Sequence, residues 1–355
     1  MKRHRFSPGS RGLKGFSLIE LMVSLAIGLI ITIAAFSAYL GASTASRIAN
    51  AQARMNEDGQ AALTILTQQL RMAGNNPAQP DRIDVTRRNP IYMPTYAGFI
   101  PIEQTYDGVT SSPFIPSNFA IRGCEGQFSN FTTAARIDNL NCYPDTTKPD
   151  SIAISYEADI SNTVGTVPTD CLGNKLPKIT ATLPPSNIGL IPPPPPVKTQ
   201  PYAMAENRFY IGVSRAIISP SLYCKGNGGG LNVPPQPLVE NIEDMQFTYG
   251  TVKAEIPIED VKTALVAGYL RANEVISLPS TLSIPPYDAP SWAKVITVRI
   301  CVLVRSEAPA VADAGSAQYY NCATPSQLVS APDLRLRHAY STTVVLRNRR
   351  LHIND

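Results

Sequence analysis

Charge is scarce in this sequence. Asp, Glu, Lys and Arg make up 16% of its 355 residues, against about a quarter in an average globular chain. From Leu21 to Ser46 there is no charged residue and no proline, although the whole chain holds 32 prolines. Histidine is nearly missing, with only His4, His338 and His352 present. No Gly-x-Ser-x-Gly elbow, His-Glu-x-x-His pair or P-loop occurs, so the usual signatures of a hydrolase, a zinc protease and a nucleotide triphosphatase are absent. The glycine run Gly226-Asn227-Gly228-Gly229-Gly230 is not followed by the Lys-Ser/Thr of a phosphate cradle and reads as a flexible hairpin. There is no Cys-x-x-Cys pair, which leaves a structural zinc site without its close ligand pairs. The expectation is a chain that is not an enzyme and carries no cofactor and no metal. A carboxylate dyad leaves no sequence signature, since its two members can lie far apart in the chain.

What is present gathers at one end. Lys2, Arg3, Arg5, Arg11 and Lys14 precede Gly15, and without those five the net charge of +4 falls to about −1. The basic character therefore orients a membrane segment, basic side toward the cytoplasm, and does not make a nucleic-acid site. The run Phe16–Leu40 follows. As a helix rising about 1.5 Å per residue it crosses a hydrocarbon core of about 30 Å. It is longer than the apolar region of a cleaved secretory signal, about 7–15 residues. One acid, Glu20, sits four residues inside it. An ionised acid within a span costs free energy and marks a functional position. Its natural partner is a cation, and a cut after Gly15 would create one, the α-amino group of Phe16.

Past Gly41 the helix changes character and continues. Ile48, Ala51, Met55, Ala62, Leu66 and Leu70 form one apolar stripe, with Arg47, Arg54, Glu57, Asp58, Gln68 and Arg71 off it. Gly74-Asn75-Asn76-Pro77 is a stop. One helix over about 17–73 is expected, the first half apolar all round and the second packed on a body.

The body reads as β-rich and loop-rich. Residues 75–150 carry many turn residues. Ser151–Tyr156 alternates as a half-buried strand, Glu206–Val213 reads as another, and 192–196 is a run of five prolines that favours polyproline II as a stiff surface loop. Pro237–Gly250 reads as a short acidic turn leading into a strand, with Glu240, Glu243 and Asp244 on a solvated face. A helix is expected over Ile258–Ala272. Lys294–Arg305 is the clearest central strand, with Leu334–Arg347 as its partner. Six cysteines, Cys124, Cys142, Cys171, Cys224, Cys301 and Cys322, all follow the apolar run. An even, widely spaced set beyond a membrane segment points to disulfides in an oxidising compartment. Six cysteines allow 15 connectivities. Short separation favours Cys124–Cys142, and placement in a strand and the loop after it favours Cys301–Cys322. Cys171–Cys224 then completes the set.

Lys14-Gly-Phe-Ser-Leu-Ile-Glu-Leu-Met-Val23 resembles the prepilin signature of type IV pilins and type II secretion pseudopilins. The resemblance implies cleavage after Gly15 by a membrane-embedded aspartyl peptidase, N-methylation of Phe16, and an assembly role for Glu20. Major pilins often carry a helix-kinking proline where this chain has Ser37. Asn56–Gly74, Leu238–Gly250, Val298–Ser306 and Tyr340–Arg349 are similar, in order, to the PilW family of minor pilins; 78–145 and 165–200 are not. The fold implied is α+β and pilin-like, a long N-terminal helix packed on an antiparallel β-sheet body. The implied organisation is a leader at 1–15, a membrane and filament-core helix at 16–46, its amphipathic continuation at 47–74 and a disulfide-bonded body at 75–355. Implied partners are the prepilin peptidase, other minor and major pilins, a PilY-type tip adhesin, and inner-membrane lipid before assembly. The body is expected in the periplasm, then on the pilus at the cell surface. Two rivals remain: a type II secretion minor pseudopilin, and a signal-anchored periplasmic enzyme or binding module.

Overall fold

The computed structural model describes residues 15–75, 103–106, 109–110, 120–133, 136–143, 145, 147–163, 165–183, 197–198, 201–214, 218–230, 232–253, 265–278, 290–313, 315 and 317–348. The leader and the proline run at 192–196 lie outside them. The chain divides into two units, Met1–Asn50 and Ala51–Asp355.

Helix α1 (Leu18–Met72) is unbroken, with no kink residue at Ser37. In the first unit its large apolar residues are exposed, from Leu18 to Leu40. It is the one helix among the described residues long and apolar enough to cross a membrane. In the second unit Met55, Gly59, Ala62, Leu63, Leu66 and Leu70 are buried, a stripe at three- and four-residue steps. The helix stops where Gly74 takes φ +71° and donates its N–H to Ser155 O at 2.9 Å.

The strands that follow are β1 (Glu103–Tyr106), β2 (Val109–Thr110), β3 (Ile121–Cys124), β4 (Ser151–Ala158), β5 (Ile179–Leu183), β6 (Val197–Lys198), β7 (Ala203–Gly212), β8 (Ser221–Lys225), β9 (Gln236–Glu240) and β10 (Ile242–Thr251). Then come β11 (Gly268–Leu270), the short helices α2 (Ala272–Ile276) and α3 (Pro290–Ala293), β12 (Val295–Arg305), β13 (Gln318–Tyr320), β14 (Leu328–Ser330) and β15 (Arg337–Val345). Two sheets dominate, β3-β4-β7-β8-β9 and β11-β10-β12-β15, with β2-β1-β5-β6 and the β13-β14 hairpin beside them. Every pairing is antiparallel.

β12 is central because Val298, Ile300, Val302 and Val304 form one wholly buried face, with Leu303 buried on the other. β4 departs from the expected half-buried alternation, for all eight of its residues are buried. One face meets α1 through Asn207, which donates to Gln69 Oε1 at 2.8 Å and Tyr156 Oη at 3.2 Å. The other is roofed by the loop after β3. There the Arg208 guanidinium donates to Phe131 O at 2.6 Å, and Phe131 lies 4.6 Å from the Tyr210 ring.

Three other expectations are corrected. The acidic turn is a corner where the chain changes sheets. β9 ends, Asn241 takes φ +64°, and β10 begins in the second sheet. The Asn241 amide holds the corner to Asp58 Oδ2 of α1 at 3.0 Å, a left-handed position that asparagine tolerates. Of its acids Glu240 is exposed as expected, while Glu243 and Asp244 are half-buried and bonded. Glu243 pairs with Arg337, and Asp244 accepts from Met245 N and Gln246 Nε2. Of the helix expected over 258–272, residues 258–264 lie outside the described residues, and 265–271 are not helical. Gly268–Leu270 pairs with the end of β10, and helix begins only at Ala272. The loop at Gly226–Gly230 is packed, not loose. Gly228 N donates to Asp170 Oδ2 at 2.9 Å, and a Cβ on Gly228 would come within 2.5 Å of Asn174 O.

α1 docks on β15 through a missing side chain. A Cβ on Gly59 would fall 2.5, 2.7 and 2.9 Å from three ring carbons of Tyr340. The ring is pinned, since its hydroxyl donates to Asn56 Oδ1 at 2.5 Å. Alanine would gain about 1 kcal/mol of helix propensity, but overpacking costs about 1–3 kcal/mol. Gly59→Ala is expected to lower the denaturation midpoint, and Gly59→Ala/Tyr340→Ala to be less unstable than the two single losses summed. Additive losses would refute the close packing.

The sheets are joined at Asp150. Its carboxylate accepts from Gly126 N at 3.1 Å and Phe247 N at 2.9 Å, while its own N–H donates to Met245 O at 2.7 Å. Burial pushes its pKa up to about 7 from 3.8, against the two N–H bonds that pull it down. The folded chain then holds this proton more tightly than the unfolded chain. The resulting stability is complete below pH 3.8 and lost as pH rises through about 7. Burial raises Asp244 in the same direction. The thermal midpoint should fall between pH 5 and pH 8, and fall less in Asp150→Asn. An equal fall in both would remove Asp150 as the cause.

Candidate assembly site

Gly15, Phe16 and Ser17 stand outside the helix, which begins at Leu18. Phe16 is 88% exposed, and the position of a Gly15 Cβ has nothing within 4 Å. The Gly15–Phe16 peptide is therefore an accessible, non-helical bond directly ahead of an exposed apolar helix.

Glu20 has a local role that the motif reading missed. Ser17 N donates to Glu20 Oε2 at 3.0 Å, and Glu20 N donates to Ser17 Oγ at 3.3 Å. This reciprocal pair is a capping box, which satisfies two of the N–H groups a helix start leaves open. The signal was in the sequence as Ser17-x-x-Glu20 ahead of an apolar run. One oxygen holds the helix start, so Oε1 of the same carboxylate is left for another donor. Farther along, Ser24, Thr32, Ser37 and Thr44 turn their hydroxyls back onto the carbonyls of Leu21, Leu29, Ala34 and Leu40 at 2.8–3.0 Å. With their hydroxyls bonded within the helix, these side chains let an apolar surface carry polar residues.

Away from the helix start the structure joins Cys124 to Cys142, Cys171 to Cys224 and Cys301 to Cys322, with Cα separations of 5.5, 6.6 and 5.5 Å. The first closes the loop that roofs β4, the second ties the Asp170 turn to β8, and the third fastens the β13-β14 turn to β12. Among the described residues no group of three or more His, Cys, Asp or Glu is arranged to hold a metal.

Two family descriptions match the chain. "Prokaryotic N-terminal methylation motif" matches residues 11–36, and "Type IV Pilus-assembly protein W" matches residues 208–348, which hold β8–β15 and all but the first residues of β7. No curated protein matches. Among solved structures the chain is similar to a type IV-like pilin from Thermus thermophilus, at 9% identity and a TM-score of 0.34, over 83% of this chain and 97% of that one. The methylation motif and the apolar helix together mark a membrane-anchored N-terminus. The chain thus carries a prepilin-type methylation motif at its start and, over less than half of its length, a segment similar to the type IV pilus-assembly protein W family, which holds β8–β15 and the second half of β7.

Proposed function

We propose that this chain is a minor pilin of the PilW family, cut after Gly15 by a prepilin peptidase, methylated at Phe16, and built into a priming or tip complex of a type IV pilus. The observation that supports this is the exposed Gly15–Phe16 bond set before a helix whose only acid from Phe16 to Ser46 is Glu20. In this reading residues 1–15 are the leader and 16–46 the membrane helix. Residues 47–74 are its amphipathic continuation, and 75–355 form the periplasmic body. Assembly exchanges lipid contacts for helix contacts, and Ser24, Gly28, Ala34 and Ala38 allow close approach. Glu20 sets register by receiving a neighbour's Phe16 amine. The partners are other minor and major pilins, with a PilY-type adhesin at the tip. The role is structural and uses no catalytic residue or cofactor.

The test is a strain lacking the chain. Surface pili should be lost or sharply reduced, and the complementing protein should appear in the sheared pilus fraction. Normal piliation without it, or a chain found only in membranes of piliated cells, would contradict the assembly role. If a secretion defect appeared with normal pili, the pseudopilin reading would replace it.

A further inference from the structure

In chain order the six cysteines are joined first to second, third to fourth and fifth to sixth: Cys124–Cys142, Cys171–Cys224 and Cys301–Cys322. No bond spans another cysteine, and none of the six is free. Of the 15 connectivities open to six cysteines, this is the one in which every cysteine is joined to its neighbour in sequence. Loop length does not select it. Closure entropy rises only with the logarithm of the loop, and the three loops span 18, 53 and 21 residues. Cys142 is nearer to Cys171 in sequence than Cys224 is, yet Cys171 is joined to Cys224.

Burial says when the bonds close. Cys124 and Cys224 are wholly buried, and Cys322 is 8% exposed. Cys224 sits on β8 between Phe209 of β7 and Gln236 of β9, and Cys124 on β3 faces Ser151 of β4. Each bond therefore has one cysteine that the folded body hides from a thiol reagent, so pairing precedes the closing of the strands over it. With the basic leader held on the cytoplasmic side, the body crosses the membrane with Cys124 first and Cys322 last. At chain growth of about 5–20 residues per second, Cys142 follows Cys124 by roughly 1–4 s. A fast oxidant closes bonds within seconds. Once Cys124 and Cys142 are joined, Cys171 has no partner until Cys224 arrives.

We propose that the emerging body is the substrate of a protein disulfide oxidant, which joins its cysteines in order of arrival, and that it reaches its native pairing without a disulfide isomerase. Each closure is two exchanges. The Cys124 thiolate attacks the oxidant's disulfide, forms a mixed disulfide and displaces one of the oxidant's sulfurs as a thiolate. The Cys142 thiolate then attacks the Cys124 sulfur and displaces the other. The two protons and two electrons of the cysteine pair end on the oxidant, which leaves as a dithiol. The proposal rests on the periplasmic placement of the body.

The test maps disulfides in the full-length chain, recovered from its own cells after acid quenching and alkylation, by non-reducing peptide mass spectrometry. In cells lacking the compartment's disulfide isomerase the three bonds should be found in unchanged amounts. In cells lacking its thiol oxidant they should be sharply reduced. Loss of the native set without the isomerase would overturn the proposal, as would its full retention without the oxidant. Cys142→Ser probes the order. It leaves the Cys124 thiol waiting when Cys171 emerges, so a Cys124–Cys171 bond is expected. Cys124→Ser/Cys142→Ser removes the waiting thiol and should restore Cys171–Cys224. An intact Cys171–Cys224 bond in Cys142→Ser would overturn pairing by arrival. If these variants were degraded, brief radiolabelling of the unmodified chain would decide. Growing chains should carry the Cys124–Cys142 bond while Cys171 is still alkylated, and growing chains with every cysteine alkylated would overturn the proposal. Six free thiols in the mature unmodified chain would contradict the periplasmic placement as well, whereas a native set that needs the isomerase would contradict the order alone.

Discussion

Glu20→Ala is expected to leave the chain inserted in the membrane and to remove it from pilus fractions. Two contributions are lost together, and their sizes separate them. The capping box to Ser17 is worth about 0.5–2 kcal/mol, a local loss that an apolar helix held by a bilayer tolerates. Under the proposed register role, leaving a neighbour's Phe16 amine unpaired in a low-dielectric helix bundle costs about 3–5 kcal/mol, enough to reverse incorporation. Glu20→Gln discriminates. Its amide oxygen can still accept from Ser17 N, which Glu20 Oε2 does at 3.0 Å, while the charge is gone. If pairing with an amine sets register, Gln fails as Ala does, and Ser17→Ala, which removes only the hydroxyl half of the cap, is nearly normal. If the cap is what matters, Gln is normal and Ser17→Ala is impaired. Quantifying the three variants in sheared pili, against membrane-inserted protein from the same cells, decides between them.

Arg337→Met is expected to give the largest loss of stability in the body. The Arg337 side chain is 1% exposed. It meets Glu243 with two parallel bonds, Nε to Oε2 at 2.5 Å and Nη2 to Oε1 at 3.0 Å, and it reaches Asp333 Oδ1 through Nη1 at 2.7 Å. Burial acts to lower its pKa, but the hydrogen bonds to the two carboxylates outweigh that and raise it. Breaking a buried pair costs about 3–5 kcal/mol because the remaining charge loses its partner. The carboxylates are partly wet, Glu243 29% and Asp333 40% exposed, so the lower end of that range applies. Glu243→Met should also destabilise, and the double variant should recover part of the loss, since a matched apolar pair leaves neither charge alone. Denaturation midpoints for the four proteins close the cycle; no coupling would mean that the pair contributes only packing.

The parts of this fold that could be read from sequence are those where one periodicity acts alone. The uncharged run at 21–46 and the stripe ending at Leu70 specify α1, and the buried face of β12 specifies the central strand. At Asn241 the acidic turn before β10 was legible, but not that Gln236–Glu240 before it is a strand of the other sheet, since a single left-handed residue makes the change. β4 looked half-buried because Ser151 and Ser155 alternate with Ile152, Ile154 and Tyr156. Its second face is closed by the irregular loop between β3 and β4, whose packing on Arg208 and Tyr210 leaves no periodic signal. The expected helix at 258–272 rested on apolar spacing. Spacing there could not reveal that the end of β10 offers an edge to Gly268–Leu270. Gly59 counts against a helix by propensity and is explained only by the Tyr340 ring above it. In the candidate site, Gly15, Phe16 and Glu20 were legible as a motif. The capping box was equally legible, since its two residues lie three apart.

The central claim, that this is a processed pilin, is tested most directly by the mature N-terminus. The protein should be recovered from membranes and from sheared pili, and its first peptide sequenced with intact-mass measurement. The account predicts a single start at Phe16 carrying an N-methyl group, with residues 1–15 removed. An intact Met1, or a start after Ala42 or Ala45, would contradict it.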